Sequence, residues 1–369
     1  MALTYNSPIS FSGKFILTFL AVLFICAGCV NRQTEMDGLE KDLVSHEYRL
    51  EVHFIDVGQG DAVLVLTPSK TMLIDAGPRD GNAAGYLQSV GVTEIDIVIA
   101  THPHADHIGG MPDIFRSFPV REIIDPGVMH STLTYTRYLE LIDKLDIPYT
   151  EGRKGMRIDL CTDVFAEIIH PSCPDEEFLN DASIVIVLVL GNLRVLLTGD
   201  IERKSEEILL DGNNDFVASL QSHIFKVPHH GSPTSSHVDF IEAVNPELSI
   251  IMCGLHNSYG NPHRLTLAAL EAAGSDVLRT DLNGHIVIRT DGESYVVEVE
   301  RDAPPLPSLI NINTASLEEL QLIVHIGPER AKQIIRLRPF ESADDLVRVD
   351  GIGPARLADI KRQNIVVTE

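Results

Sequence analysis

Residues 97–110 constrain this chain more than any other stretch. Ile97-Val98-Ile99-Ala100 has the pattern of a buried strand, and it runs without a spacer into Thr101-His102-Pro103-His104-Ala105-Asp106-His107, followed by Gly109-Gly110. Two histidines one residue apart at a strand end can point the same way, while Asp106 and His107 in the following turn reach a second position. Imidazole and carboxylate together suit Zn, Mn or Fe, and such a cluster can seed two adjacent metal sites. A solvated His-rich turn is the alternative, but it gives no reason for all four groups to follow directly on a buried strand.

The surrounding sequence fits a layered fold. From Arg49 to about Arg301, short β-type runs (Leu50 to Ile55, Val63 to Leu66, Met72 to Ile74, Ile97 to Ala100, Ile184 to Leu190, Val195 to Thr198, Leu248 to Met252, Val296 to Val299) alternate with helical periodicity. The helical stretches are Leu133 to Leu145, Glu202 to Leu210 and Leu265 to Ala273. This mixture predicts an α/β layered domain over residues 49–302. The Pro-rich segment 303–308 reads as a stiff linker. Residues 309–369 have no strand-like run and read as all-helical. With 44 % hydrophobic and 22 % charged residues, the composition is that of a packed globular protein and excludes disorder, collagen and a polytopic membrane protein.

The first 29 residues read as an export signal. Lys14 precedes the uncharged run Phe15 to Gly28, which is shorter than the ~20 residues needed to span a bilayer. Cys26-Ala27-Gly28-Cys29 resembles the bacterial lipobox, with Cys29 as the lipidated residue; a plain secretory signal is the alternative. Residues 30–48 then read as a polar tether. Cys161, Cys173 and Cys253 remain, and either Cys161 pairs with Cys173 or all three are small hydrophobes.

The motif T-H-x-H-x-D-H resembles the signature of the metallo-β-lactamase superfamily. Phe54-Ile55-Asp56-Val57-Gly58-Gln59-Gly60-Asp61 with Leu73-Ile74-Asp75-Ala76-Gly77 is similar to the opening of the β-lactamase-like domain of ComEC-type DNA-uptake proteins. Leu196-Leu197-Thr198-Gly199-Asp200 and Lys226-Val227-Pro228-His229-His230-Gly231-Ser232 resemble its later motifs, and Asn257 to His263 matches with Asn261 in place of the usual His. The resemblance implies an αββα sandwich and two divalent ions, Zn2+ or Mn2+. It implies that His102 and His104 hold one ion, Asp106 and His107 the second, and Asp200 both, with Asp106 and Asp200 catalytic. His229 or His230 closes the second site, and His230 is favoured. The further His ligand common in the superfamily is replaced by Asn180-Asp181-Ala182-Ser183, so Asp181 or Asn180 can substitute, with His170 the other candidate. The implied chemistry is hydrolysis by a metal-activated hydroxide. Asp56, Asp61 and Asp75 are expected near the floor of the site, orienting ligands, and Ser232 and His263 at its rim.

The C-terminal residues carry an independent signal. Ser316 and Glu319 form a capping-box pattern. Val324-His325-Ile326-Gly327-Pro328-Glu329-Arg330-Ala331 and Asp350-Gly351-Ile352-Gly353-Pro354-Ala355-Arg356-Leu357 repeat one pattern in register, each with Pro at a favourable first-turn position. Backbone N–H groups at such helix starts suit a phosphate. The duplication resembles the tandem helix-hairpin-helix domain of ComEA-type DNA receptors. It implies DNA contacts at Gly327, Arg330, Lys332, Gly351, Gly353 and Arg356. His325 stands where the family has Gly, and it is tolerated less well than Gly if the position requires positive φ.

The net charge of −24 opposes a nucleic-acid partner only at first sight. Residues 309–369 carry 8 Lys plus Arg against 9 Asp plus Glu, so the preceding residues hold −23 of the total. The sequence therefore predicts an exported, lipid-anchored metal-dependent phosphodiesterase, a DNA nuclease, with DNA and a membrane as partners and no protein partner called for. A DNA-uptake accessory on an inactive scaffold, and a metallohydrolase of a non-nucleotide substrate, are the alternatives.

Overall fold

Strands β1 (Leu50–Phe54), β2 (Val63–Leu66), β3 (Thr71–Ile74), β4 (Ile97–Ile99), β5 (Ile123–Asp125) and β6 (Tyr149–Glu151) follow one another as neighbours in a single sheet. The chain then builds a second sheet from β7 (Arg157–Cys161), β8 (Val164–His170), β9 (Val185–Leu190), β10 (Leu193–Leu197), β11 (Ile224–Lys226), β12 (Leu248–Ile251) and β13 (Asp276–Arg279). It returns through β14 (Ile286–Thr290) and β15 (Tyr295–Val299) to complete the first, in the order β15-β14-β1-β2-β3-β4-β5-β6. The computed structural model describes residues 48–174, 177–211, 220–255, 257–303, 309–363 and 365–368. The export signal with Cys29, nearly all of the tether and residues 304–308 of the linker lie outside the described residues.

Side-chain alternation explains the layers. In β9, Ile186, Leu188 and Leu190 enter the core between the sheets, while Val185, Val187 and Val189 enter the core on the outer face of the second sheet. A strand apolar at every position is thus buried on both sides. In β3 and β4, Met72, Ile74, Ile97 and Ile99 face the inter-sheet core, and Leu73 and Val98 face helices. Those helices are α1 (Ala83–Ser89), α2 (Ala105–Ile108), α3 (Met111–Ser117) and α4 (Leu133–Leu145). The second sheet is covered by α5 (Arg203–Asp211), α6 (Val238–Val244) and α7 (Arg264–Ala272), and α8 (Thr280–Asn283) leads into β14. The result is the expected αββα sandwich. Cys161, Cys173 and Cys253 are all free thiols, so the Cys161–Cys173 pairing is not formed.

Residues 309–368 build their own core from Ile312, Leu320, Ile334, Phe340, Leu346 and Ile360. The elements are α9 (Leu317–Leu320), α10 (Pro328–Leu337) and α11 (Pro354–Gln363), with a 3-10 turn at Ala343–Arg348. The Ser316 capping box is formed: Glu319 N–H donates to Ser316 Oγ at 3.2 Å and Ser316 N–H to Glu319 Oε2 at 2.7 Å. One expectation needs correction, because this part is not purely helical. Ile310–Asn311 (β16) pairs in parallel with Val366–Val367 (β17), tying the two ends of the module with a ladder too short to leave a periodic signal.

Because Leu188 is fully buried between the sheets, Leu188→Ala should cost about 2–5 kcal/mol in urea unfolding. A loss below about 1 kcal/mol would contradict this packing.

Candidate metal centre

Strands β3 and β4 are parallel, as are β10 and β11, so each pair delivers its following loops to one end of the sandwich. Asp75 follows β3, His102 follows β4 at a short interval, and Asp200 and His230 follow β10 and β11. Ile184 N–H donates to Thr101 O at 3.0 Å, joining the segment before β9 to the loop after β4 at this same end.

Four of the expected ligands converge. One ligand atom each of Asp106, His107, Asp200 and His230 lies within 4.8 Å of the others, and Asp61, Asp75 and His107 form an overlapping group. Asp200 Oδ2 stands 3.1 Å from His107 Nε2 and 3.3 Å from His230 Nε2, and Asp106 Oδ2 stands 3.3 Å from His230 Nε2. The other ring nitrogens are held from behind: His107 Nδ1 by Asp75 Oδ2 at 2.7 Å and His230 Nδ1 by Met252 O at 2.9 Å. A proton on each Nδ1 leaves each Nε2 lone pair for the centre. Asp75 is itself fixed by the N–H and hydroxyl of Thr101 at 2.8 and 2.7 Å.

The donor set fits a divalent ion. His107 Nε2 and Asp200 Oδ1 are buried and lack a hydrogen-bond partner, an arrangement that is costly unless something electropositive completes it. Burial alone would push Asp200 up, but His230 and His107 reverse this and hold it well below the usual carboxylate range. Burial also opposes charge on His107, and Asp200 and Asp75 overcome it, raising that ring well above ordinary histidine. His230 behaves likewise, with Asp200 the leading carboxylate. Without an ion, protons on the two rings balance the carboxylates; an ion bound at the centre would replace those protons and leave each Nε2 free to ligate. Asp106 is the most open member, with 33 % of its side chain exposed against 3 % or less for the other three, so the centre faces solvent there.

His102 and His104 form an adjoining pair, with His102 Nε2 and His104 Nδ1 3.0 Å apart and the His102 ring 4.1 Å from that of His107. Burial and the neighbouring His107 hold His102 well below ordinary histidine. His229 stands outside the cluster beside Glu202 and Thr234, at 3.1 and 3.2 Å, whereas His230 lies inside it. Asp181 is also outside: its Oδ1 accepts from Glu202 N–H at 3.0 Å and Ser205 N–H at 3.1 Å, capping α5. His170 Nε2 contacts Asp181 O and Ser205 Oγ, and Asn180 donates to Glu202. Instead, Ser183 reaches the centre, with Oγ 3.3 Å from His102 Nδ1 and accepting from Asp200 N–H at 3.2 Å. Asp56 binds its own turn and Arg301. Ser232 bonds Thr234, and His263 caps α7 by accepting from Leu265 N–H.

Lys226 was missed from sequence. It is 1 % exposed, donates to Gly199 O at 2.8 Å, pairs with Asp61 and lies 3.6 Å from Asp200 Oδ1. The available signal was a lone cation within the otherwise apolar run Ile224 to Val227. Gly60 was likewise overlooked: at φ +145°, a Cβ there would stand 2.2 Å from Asp106 O, so only glycine lets the two loops meet.

In the C-terminal module, His325 and Gly351 hold equivalent positions at φ 63° and 78°. Arg330 donates to His325 O at 2.7 Å and Arg356 to Gly351 O at 2.6 Å, so both arginines brace their own hairpins. Lys332 pairs with Glu329. A Cβ at Gly327 or Gly353 would meet open space, leaving both helix starts accessible.

The profile of the Metallo-beta-lactamase superfamily matches residues 55–255, and that of the helix-hairpin-helix motif matches residues 308–363. ComE operon protein 3 of Bacillus subtilis (strain 168) is 28 % identical over 259 residues, covering 65 % of this chain and 33 % of that protein. Competence protein ComA of Neisseria gonorrhoeae is 30 % identical over 232 residues, covering 62 % of this chain and 30 % of its own length. ComE operon protein 1 of Bacillus subtilis is 45 % identical over 58 residues, or 15 % of this chain and 28 % of that one. The chain spans about a third of the length of the curated relatives it matches.

If Asp75 acts by orienting His107, Asp75→Asn should weaken Zn2+ or Mn2+ binding about 10–100-fold in a chelator competition. Unchanged affinity would remove that role.

Proposed function

The chain belongs to the metallo-beta-lactamase superfamily, and we propose that it is a metal-dependent phosphodiesterase that cuts DNA gripped by its helix-hairpin-helix module. The observation that carries this reading is the convergence of Asp106, His107, Asp200 and His230 within 4.8 Å, in a chain that also has two exposed hairpin helix starts. His107, Asp106, Asp200 and His230 would hold one divalent ion, and the pair His102 and His104, next to His107, would contribute to a second. When bound, such ions supply Lewis acidity toward phosphoryl oxygens and a lowered pKa for water.

The protein's own contribution is arrangement. Asp75 and Met252 O fix the two rings so that neither must reorient during the reaction. Asp200 lies between them, and Lys226 keeps a positive charge against Asp61 and Asp200 behind the centre. The centre opens to solvent at Asp106, so a phosphate diester would reach the ions from that side. An inactive scaffold is disfavoured because clustered buried ligands with unpartnered atoms burden a fold that makes no use of them.

DNA would be held mainly by backbone N–H groups at the starts of α10 and α11. The hairpin arginines are already engaged, so affinity comes from these amides more than from a basic face, and a modest salt slope follows. The reading includes export and lipid anchoring through Cys29, which places the substrate outside the cytoplasm.

Purified protein with Mn2+ or Zn2+ should nick plasmid DNA, and Asp200→Ala should abolish cleavage while DNA retention persists; undiminished cutting by that variant would sink the proposal. Carboxylates at both hairpins, Gly327→Glu with Gly353→Glu, should weaken duplex binding about ten-fold or more. Hydrolysis of bis(4-nitrophenyl) phosphate should be unaffected by them, and equal duplex affinity would show that the hairpins are not the grip.

A further inference from the structure

A cleft of about 730 Å³ opens beside the metal centre, with Ala105 and Asp106 in its wall. It runs between the α2–α3 segment and α4, and Tyr259 from the loop before α7 also lines it. Four cations line it as well: Arg79, Arg116, Arg137 and Lys144, all exposed. Residues 1–308 carry a net −23, so this gathering runs against the local composition. Arg116 pairs with Asp113. Arg79, Arg137 and Lys144 have no ion-pair partner among the described residues. Besides Asp113 and the ligand Asp106, Glu140 is the acidic residue of the lining.

Helix geometry sets the cations in a row. Thr134, Arg137, Leu141 and Lys144 follow 3-4-3 spacing and share one face of α4. Arg137 and Lys144 are two turns apart, about 10 Å along the axis, close to three nucleotides of a stacked strand at ~3.4 Å each. Tyr259 is 73 % exposed, in a turn pinned by Asn257 Oδ1, which accepts from Tyr259 N–H and Asn261 N–H, each at 3.1 Å. An exposed ring on a pinned turn, lining the same cleft as a row of cations, is the combination that takes unpaired bases: phosphates meet the charges and a base stacks on the ring.

We propose that this cleft is a single-strand track, leading one unpaired nucleic-acid strand to the metal centre with phosphates on Arg79, Arg137 and Lys144 and a base on Tyr259. It rests on the phosphodiesterase reading and adds the strand and its route. A duplex fits less well, because one helix face offers cations to one backbone and paired bases have no free face for Tyr259.

The test uses the full chain with Arg137→Glu/Lys144→Glu, with Tyr259→Ala, and with the charge-keeping swap Arg137→Lys/Lys144→Arg. An eight-nucleotide single strand, a duplex and bis(4-nitrophenyl) phosphate are the probes. The charge reversal should raise KM for the single strand at least ten-fold and flatten its salt slope by about 1.4, for two lost phosphate contacts. Tyr259→Ala should weaken binding about five-fold or more. The charge-keeping swap and hydrolysis of the small diester should stay near wild type. Unchanged single-strand KM and salt slope with the diester still hydrolysed would overturn the track and leave the phosphodiesterase reading standing. Equal losses for duplex and single strand would overturn the strand preference. If wild type hydrolyses nothing, the metal-centre reading fails, and oligonucleotide anisotropy in chelator decides the track by itself: weaker binding by the reversal supports it, and equal binding removes it.

Discussion

The contact on which the rest depends is that of the buried Asp200 carboxylate with the rings of His107 and His230, 3.1 and 3.3 Å away. An isolated carboxylate at that depth would cost several kcal/mol. Here it is one link in a chain of alternating groups running from Asp75 through His107, Asp200 and His230 to Asp61 and Lys226. The links come from loops of both sheets, so satisfying Asp200 and closing the sandwich at this end are one event. The Thr101–Ile184 backbone bond and the Gly254 N–H donated to Gln59 Oε1 at 3.1 Å serve the same closure.

What was legible in the sequence was whatever is local. The His-Asp cluster lies within a few residues after a strand, and α4 spans Leu133–Leu145 as its periodicity predicts. Strands β5, β6 and β11, three residues each, are too short to show a period and acquire their identity only by pairing. Asp181 shows why a ligand set resists reading by residue type alone. A carboxylate before a helix serves equally as a ligand or as a cap, and its oxygen goes to the amides of α5. Ser183, two residues on, reaches His102 and Asp200 instead. Lys226 was hidden because a buried lysine is tolerable only against carboxylates 26 and 165 residues away in sequence, Asp200 and Asp61.

The C-terminal module was readable for the opposite reason: it repeats. The second hairpin supplies a template for the first, which is how a histidine at a glycine position became conspicuous. His325 does adopt φ 63°, and its ring pairs with Asp359 at 2.6 Å, a contact that offsets strain glycine would not carry. The acidic composition is compatible with the proposed DNA contact because the hairpins present amides, whose attraction for phosphate needs no net charge.

The order of the ligands along the chain has a consequence for biogenesis. His102 to His107 are made roughly ninety residues before Asp200, and His230 thirty residues later still. A polypeptide emerging from ribosome or translocon therefore presents a half-complement of donors, weak and unselective toward metals, until nearly two-thirds of it is through. An ion held by all four ligands would be captured only once the second sheet docks, and so in whichever compartment the chain finishes folding.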